Sequence, residues 1–187
     1  MERKVIFAIN LTIDGIADHT AVIADDELHD FHTDLLDTVD TILFGRITYE
    51  LLADFWPVVY DDPRSTASMI RFADKINPLR KIVFSGTLEK ADWNNSEIVR
   101  TGMTEEVKKI KQQTGKNLSV GGLSVAAELA EHGLIDEFWF LVQPMVAGKG
   151  RRLWEGFNKR MELRLEDTRI FKSGVVVLHY INIANLS

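Results

Sequence analysis

The stretch Leu118-Ser119-Val120-Gly121-Gly122-Leu123-Ser124 runs from a short apolar segment through two glycines into a helix start. N–H groups at the head of a helix are free to bind an anion, and a glycine keeps its own Cβ out of the way. The run therefore suits a diphosphate; a plain tight turn is the alternative. The stretch Thr41-Ile42-Leu43-Phe44-Gly45-Arg46-Ile47-Thr48-Tyr49-Glu50 repeats the order of apolar run, glycine and helix start. Here an arginine and a threonine hydroxyl stand at the helix mouth, and a guanidinium pairs with phosphate in a two-pronged, charge-assisted contact. Ser85 follows a third apolar run, Lys81 to Phe84, where a small hydroxyl bonds a ligand or starts a turn.

Proton chemistry has fewer candidates. Asp14, in Thr12-Ile13-Asp14-Gly15, is a carboxylate just after the first apolar run, although Asp-Gly is also a strong turn dipeptide. Asp26, Glu27 and Asp30 lie in the next helical stretch, with His29 and His32 three residues apart. That histidine spacing would suit a metal, but no third ligand is evident and an exposed or pocket-rim place fits better. Lys149-Gly150-Arg151-Arg152 is either a solvated basic loop or an anchor for a phosphate. The chain has no cysteine, which excludes disulfides, thiolate metal sites and a cysteine nucleophile.

These residues need a scaffold. Short apolar runs at Val5–Ile9, Thr41–Phe44, Lys81–Phe84, Leu118–Val120, Phe138–Val142, Met161–Thr168 and Val175–Ile183 predict strands. Helical stripes fall between the early ones. They are Leu28, Phe31, Leu35 and Leu36; Tyr49, Leu52 and Ala53; and Met69, Phe72, Ala73 and Ile76, stopped by Pro78. Two more helices are predicted over 104–113 and 124–132, the latter with Ser124 as N-cap and Gly133 at its end. Alternating strand and helix followed by mostly strand implies an α/β sheet, parallel at first and antiparallel at the C-terminal side. Ligands in such sheets sit at the carboxyl ends of the strands, at a switch in strand order.

At 187 residues, 45% hydrophobic and 27% charged, with no linker or repeat, the chain reads as one domain over residues 1–187. A net charge of -6 disfavours nucleic acid and anionic membranes as partners. No stretch is long and apolar enough to span a bilayer. The run Val5–Ile9 is too short for a signal peptide, so cytoplasm is the expected location. The antiparallel C-terminal strands leave an edge that a homodimer would cover.

Taken in order, these motifs resemble the dihydrofolate reductase fold, and more closely relatives of the reductase domain of riboflavin biosynthesis. The resembling segments include Thr12 to Gly15, Leu43 to Glu50, Phe55-Trp56-Pro57, Val83 to Leu88 and Trp93-Asn94-Asn95. They continue with Val120 to Ser124, Leu134 to Glu137 and Pro144 to Leu153. The resemblance implies a three-layer α/β domain: a mixed sheet of about eight strands with helices on both faces. It implies NADPH as cofactor, held by Gly45, Arg46, Thr48, Ser85 and the run Val120, Gly121, Gly122, Leu123 and Ser124, with a cis peptide between the paired glycines. Hydride would pass to a small heterocyclic or sugar-derived substrate, as in 5-amino-6-(5-phosphoribosylamino)uracil reductases. Asp14, Glu27 and Asp30 are the candidates for the proton. Val120 stands where those reductases usually carry a glutamate. Two other readings are open: a dihydrofolate or pterin reductase, and an NADPH-binding protein without turnover.

Overall fold

The chain is described here over residues 2–185 by a computed structural model. Its strands are β1 (Val5–Thr12), β2 (Val39–Gly45), β3 (Arg80–Phe84), β4 (Ser96–Val99), β5 (Asn117–Gly121), β6 (Glu137–Gln143), β7 (Leu163–Ile170) and β8 (Val176–Asn182). Its α-helices are α1 (Asp26–Leu36), α2 (Arg46–Ala53), α3 (Ala67–Ile76), α4 (Met103–Lys111) and α5 (Leu123–Glu131). The strands form one eight-stranded sheet in the order β4-β3-β2-β5-β1-β6-β8-β7. β4 through β6 run parallel, and β8 pairs antiparallel with both β6 and β7. The α/β reading of the sequence and its antiparallel C-terminal side are therefore met. β4 is an addition: Ser96-Glu97-Ile98-Val99 is too short and too polar to stand out as an apolar run.

Alternation along the inner strands explains why helices cover both faces. Val5 and Phe7 of β1, Leu43 of β2 and Ile82 of β3 pack with Val107 and Ile110 of α4 and with Val125, Ala126 and Leu129 of α5. The residues between them, Ile6, Ile42, Phe44 and Val83, pack on the other face with Leu36, Tyr49, Ala73 and Ile76 of α1, α2 and α3. Successive strand side chains point to opposite faces, so a run that is apolar at every position needs a layer on each side. Among the described residues no helix is long and apolar enough to cross a membrane.

Strand order sets the place of the site. From β1 the chain steps outwards through β2, β3 and β4, then returns to insert β5 beside β1 before crossing to β6. The carboxyl ends of β1, β2 and β5 thus flank the point where the direction of travel reverses, which is where open α/β sheets bind ligands. The register opens a gap there. β1 pairs with β5 only from Val5 to Phe7, whereas its pairing with β6 continues from Ile6 to Thr12. Ala8, Ile9 and Asn10 therefore have no strand beside them on the β5 side.

The outer edge near β3 is held by a buried cation. Lys81 is fully buried, and its Nζ donates to the carbonyls of Asn77 and Leu79 at 2.8 Å and of Asn94 at 3.0 Å. It also lies 4.4 Å from the centre of the Trp93 ring. Burial pushes its pKa down to about 8, while three carbonyl acceptors and a π face favour the charged form. Lys81→Met keeps most of the volume but strands those carbonyls. It is expected to lower stability by roughly 1–3 kcal/mol, read as a shift in the urea midpoint at unchanged slope.

Candidate functional site

The two glycine turns seen in the sequence meet in space. α2 begins at Gly45 and α5 at Gly122, and neither helix has a side chain capping its first turn. β2 and β5 are neighbours in register, Phe44 opposite Gly121, so the two uncapped helix heads lie side by side. Their closeness requires glycine. A Cβ on Gly121 would lie 2.3 Å from the Phe44 ring, and one on Gly122 would lie 2.5 Å from Thr48 Oγ1. A Cβ on Gly45 would sit 3.1 Å from Ser124 Oγ.

Two expectations about this turn are corrected. Ser124 is not the N-cap: Gly122 is, at φ 109°, and Ser124 lies within the first turn. The Gly121–Gly122 peptide is trans, since no described peptide bond is cis. The positive φ of Gly122 redirects the chain instead, a conformation that residues with a side chain rarely adopt.

The turns form one end of a cleft of about 510 Å³, in the size range of small-molecule sites. Gly45, Thr48, Gly121, Gly122, Leu123 and Ser124 all line it, as does Arg151 of the basic loop. The exposed strand end of β1 (Ala8, Ile9 and Asn10) forms another wall. Trp56, Phe72 and Leu52 supply an apolar part, with Trp56 and Phe72 ring centres 4.4 Å apart. His32 lines the cleft as well, in keeping with a place at a pocket rim. Among the described residues no group of three or more metal-ligating side chains is found.

The other expected site residues do not line the cleft. Val120 is a buried core residue. Ser85 Oγ accepts from the Thr87 and Leu88 amides at 3.2 and 2.9 Å and so starts a turn. Arg46 is the first residue of α2, exposed, and paired with Glu50 at 2.8 Å.

The three carboxylates proposed for proton delivery are engaged elsewhere. Asp14 accepts from the Thr12 hydroxyl at 2.5 Å and from the Ala147 and Gly148 amides at 3.1 and 2.8 Å. These donors, Thr12 foremost, hold its pKa at about 2, so it is ionised and joins the turn after β1 to the loop after β6. Glu27 accepts from the Lys172 amide at 2.9 Å and pairs with Arg169, tying α1 to the β7–β8 hairpin. Asp30 pairs with Arg71 and ties α1 to α3.

Asn10, which lines the cleft, and Gln143, which holds it, had no signal in the sequence. Gln143, fully buried on β6, accepts from the Ile23 amide through Oε1 at 2.9 Å and donates through Nε2 to Asn10 Oδ1 at 3.0 Å. Asn10 Nδ2 in turn lies 3.4 Å from His32 Nε2. Asn10 and Gln143 are 133 residues apart and meet only because β6 pairs with β1.

The profile of the RibD C-terminal domain family matches residues 3–178. The chain belongs to this family. It is 31% identical over 185 residues to the uncharacterized protein YyaP of Bacillus subtilis (strain 168), covering 96% of this chain and 95% of YyaP. A putative riboflavin biosynthesis protein from Shewanella sp. PV-4 shares the fold with a TM-score of 0.70 at 14% identity, over 97% of this chain and 99% of that one. A diaminohydroxyphosphoribosylaminopyrimidine deaminase/5-amino-6-(5-phosphoribosylamino)uracil reductase from Thermotoga maritima shares it with a TM-score of 0.66 at 16% identity. There the match covers 97% of this chain and 57% of the longer protein. The eight-stranded α/β fold implied by the resemblance is thus the fold of this chain and of these family neighbours.

Packing around α1 has a consequence for stability. His32 is pushed down to about 4 from 6.5, mainly by burial and slightly by His29. Burial also lowers His29, against the opposing pull of Asp26, Asp25 and Asp30. Between 6.5 and about 4 the unfolded chain binds a proton at His32 that the folded chain refuses. The His32 contribution to stability is therefore expected to be full above that interval, to fall as pH drops through it, and to level off below. Urea midpoints across this range, compared with those of His32→Gln, check this: the variant should show a shallower decline.

Proposed function

We propose that this member of the RibD C-terminal domain family is an NADPH-dependent reductase acting on a small heterocyclic or sugar-derived compound of the riboflavin-pathway type. The observation that carries the reading is the pair of uncapped helix heads at Gly45 and Gly122, converging on one cleft where a Cβ has no room. Two sets of free N–H groups and two positive dipole ends suit a diphosphate. Gly121, Gly122 and Ser124 would hold it from α5, and Gly45 and Thr48 from α2. Exposed Arg46, at the start of α2, would leave Glu50 for the 2′-phosphate, and Ser85 would lie beside the adenosine. Exposed Ile47 and Leu51 of α2 offer apolar surface for a ring to cover.

When bound, the cofactor supplies a hydride for a C=N or C=O carbon. The chain's own part is to orient the two partners and keep water away from them. The free edge of β1 at Ala8, Ile9 and Asn10 would present backbone donors and acceptors to an amide-bearing ring, and the touching Trp56 and Phe72 rings would give a planar substrate an apolar surface to pack on. None of Asp14, Glu27 and Asp30 lines the cleft, and Asp18, which does, is held below the usual carboxylate range by the Thr20 amide and hydroxyl, so the proton would come from water. The same observation favours a second reading, a protein that binds NADPH without turnover. A homodimer is proposed too. β7 is an edge strand exposed over most of its length, with Leu165 and Ile170 solvent-facing, and sedimentation should give twice 21.3 kDa.

Titration with NADPH, followed through tryptophan emission, tests the cofactor reading, because Trp56 lines the cleft. Saturable binding is expected, and none at millimolar NADPH would sink it. Gly122→Val combines a strained φ with the Thr48 clash and should cost at least roughly tenfold in affinity. Arg46→Ala should weaken NADPH more than NADH, and equal losses would remove Arg46 from 2′-phosphate recognition. Loss of nicotinamide absorbance with added substrate separates turnover from binding alone.

A further inference from the structure

His32 is the α1 side chain that lines the cleft, and its hydrogen-bonding role can be worked out from a backbone amide. The Ile23 N–H can only donate, so the Gln143 atom it meets at 2.9 Å is the carbonyl oxygen. The other end of Gln143 is then its NH₂ group, which donates to Asn10 at 3.0 Å and makes that Asn10 atom the oxygen. Asn10 thereby turns its own NH₂ group to His32 Nε2 at 3.4 Å. An amide nitrogen does not accept, so Nε2 must be the bare, accepting nitrogen. A neutral imidazole has one proton, and it is left on Nδ1.

Nothing among the described residues uses that proton. No described residue accepts a hydrogen bond from His32 Nδ1. The sealed polar side-chain atoms without a partner are those of Ser96, Trp139 and Ser173, and His32 Nδ1 is not one of them. Nδ1 is therefore not sealed, and the ring lines the cleft. The ring itself is steadied by edge contacts with Phe31 and Phe72, at 5.6 and 6.5 Å between centres.

Resting on the reductase reading of this cleft, we propose that His32 is a specificity-determining residue. It is locked by Asn10 and Gln143 as the Nδ1–H tautomer and donates to the substrate. The substrate class that fits is a planar, uncharged heterocycle presenting a carbonyl oxygen to His32, beside the Trp56 and Phe72 rings. A ring presenting amino groups and a ring N–H⁺ needs an acceptor at this position, and His32 offers a donor. A buried donor left facing another donor is a costly mismatch, which gives the site its discrimination.

A matched pair of bicyclic probes tests this: 2,4-quinazolinedione, with carbonyls, and 2,4-diaminoquinazoline, with amino groups in the same places. Calorimetry on the full chain, with and without NADPH, should show the dione bound more tightly by roughly tenfold. His32→Asp replaces the donor with an acceptor and should reverse the order. Nitrogen-15 spectra of the unliganded protein should show His32 protonated at Nδ1, with the pattern lost in Gln143→Leu. Those spectra need no cofactor, and the probe ranking can be read without it. Failure of NADPH to bind therefore strikes only the reductase reading. The proposal is overturned by a proton on Nε2, by a diamine that binds wild type as well as the dione, by binding of neither probe at millimolar concentration, or by an unchanged order in His32→Asp.

Discussion

The constraint on which the site depends is the absence of a side chain at Gly121. The Phe44 ring occupies the space that a Cβ there would need. With that space filled by Phe44, β2 and β5 end side by side and their helices start together at the mouth of one cleft. Phe44 also packs with Tyr49 and Trp93, so the ring that excludes a side chain from the turn belongs to the core beneath α2 and α3. Packing density and ligand geometry are set by the same atoms.

Charge is distributed in a similar way. Three carboxylates serve the scaffold: Asp14 fastens two loops, Glu27 fastens α1 to the C-terminal hairpin, and Asp30 fastens it to α3, while Asp18 lines the cleft. What reaches the cleft is mostly neutral: amides, a hydroxyl pair, aromatic rings and an uncharged imidazole. On the proposed reading, such a lining would orient a reactive cofactor and its partner, and would leave the difficult bond changes to the cofactor.

Much of this was legible in the sequence. The strand–glycine–helix runs at Gly45 and Gly121-Gly122 stand out because glycines and short apolar runs are local signals, and they proved to be neighbours at one site. The trans peptide and the capping role of Gly122 were not legible, because both depend on one dihedral angle that residue types leave open. Nor could the helix acids be sorted from His32 by residue type. Which side of α1 meets the cleft depends on Leu28, Phe31 and Leu36 being drawn into the core. The Asn10–Gln143 contact lay further still from sequence, since it exists only through the pairing of β1 with β6.

The insertion of β5 between β2 and β1 means that the cleft borrows its walls from segments remote along the chain. No fragment ending before β5 contains it, and its formation waits on the slowest kind of contact, parallel pairing across long loops. A partly folded chain is thus blind to the ligand. A ligand of this cleft would bind only a chain that has closed its whole central sheet, and would hold that sheet together against opening.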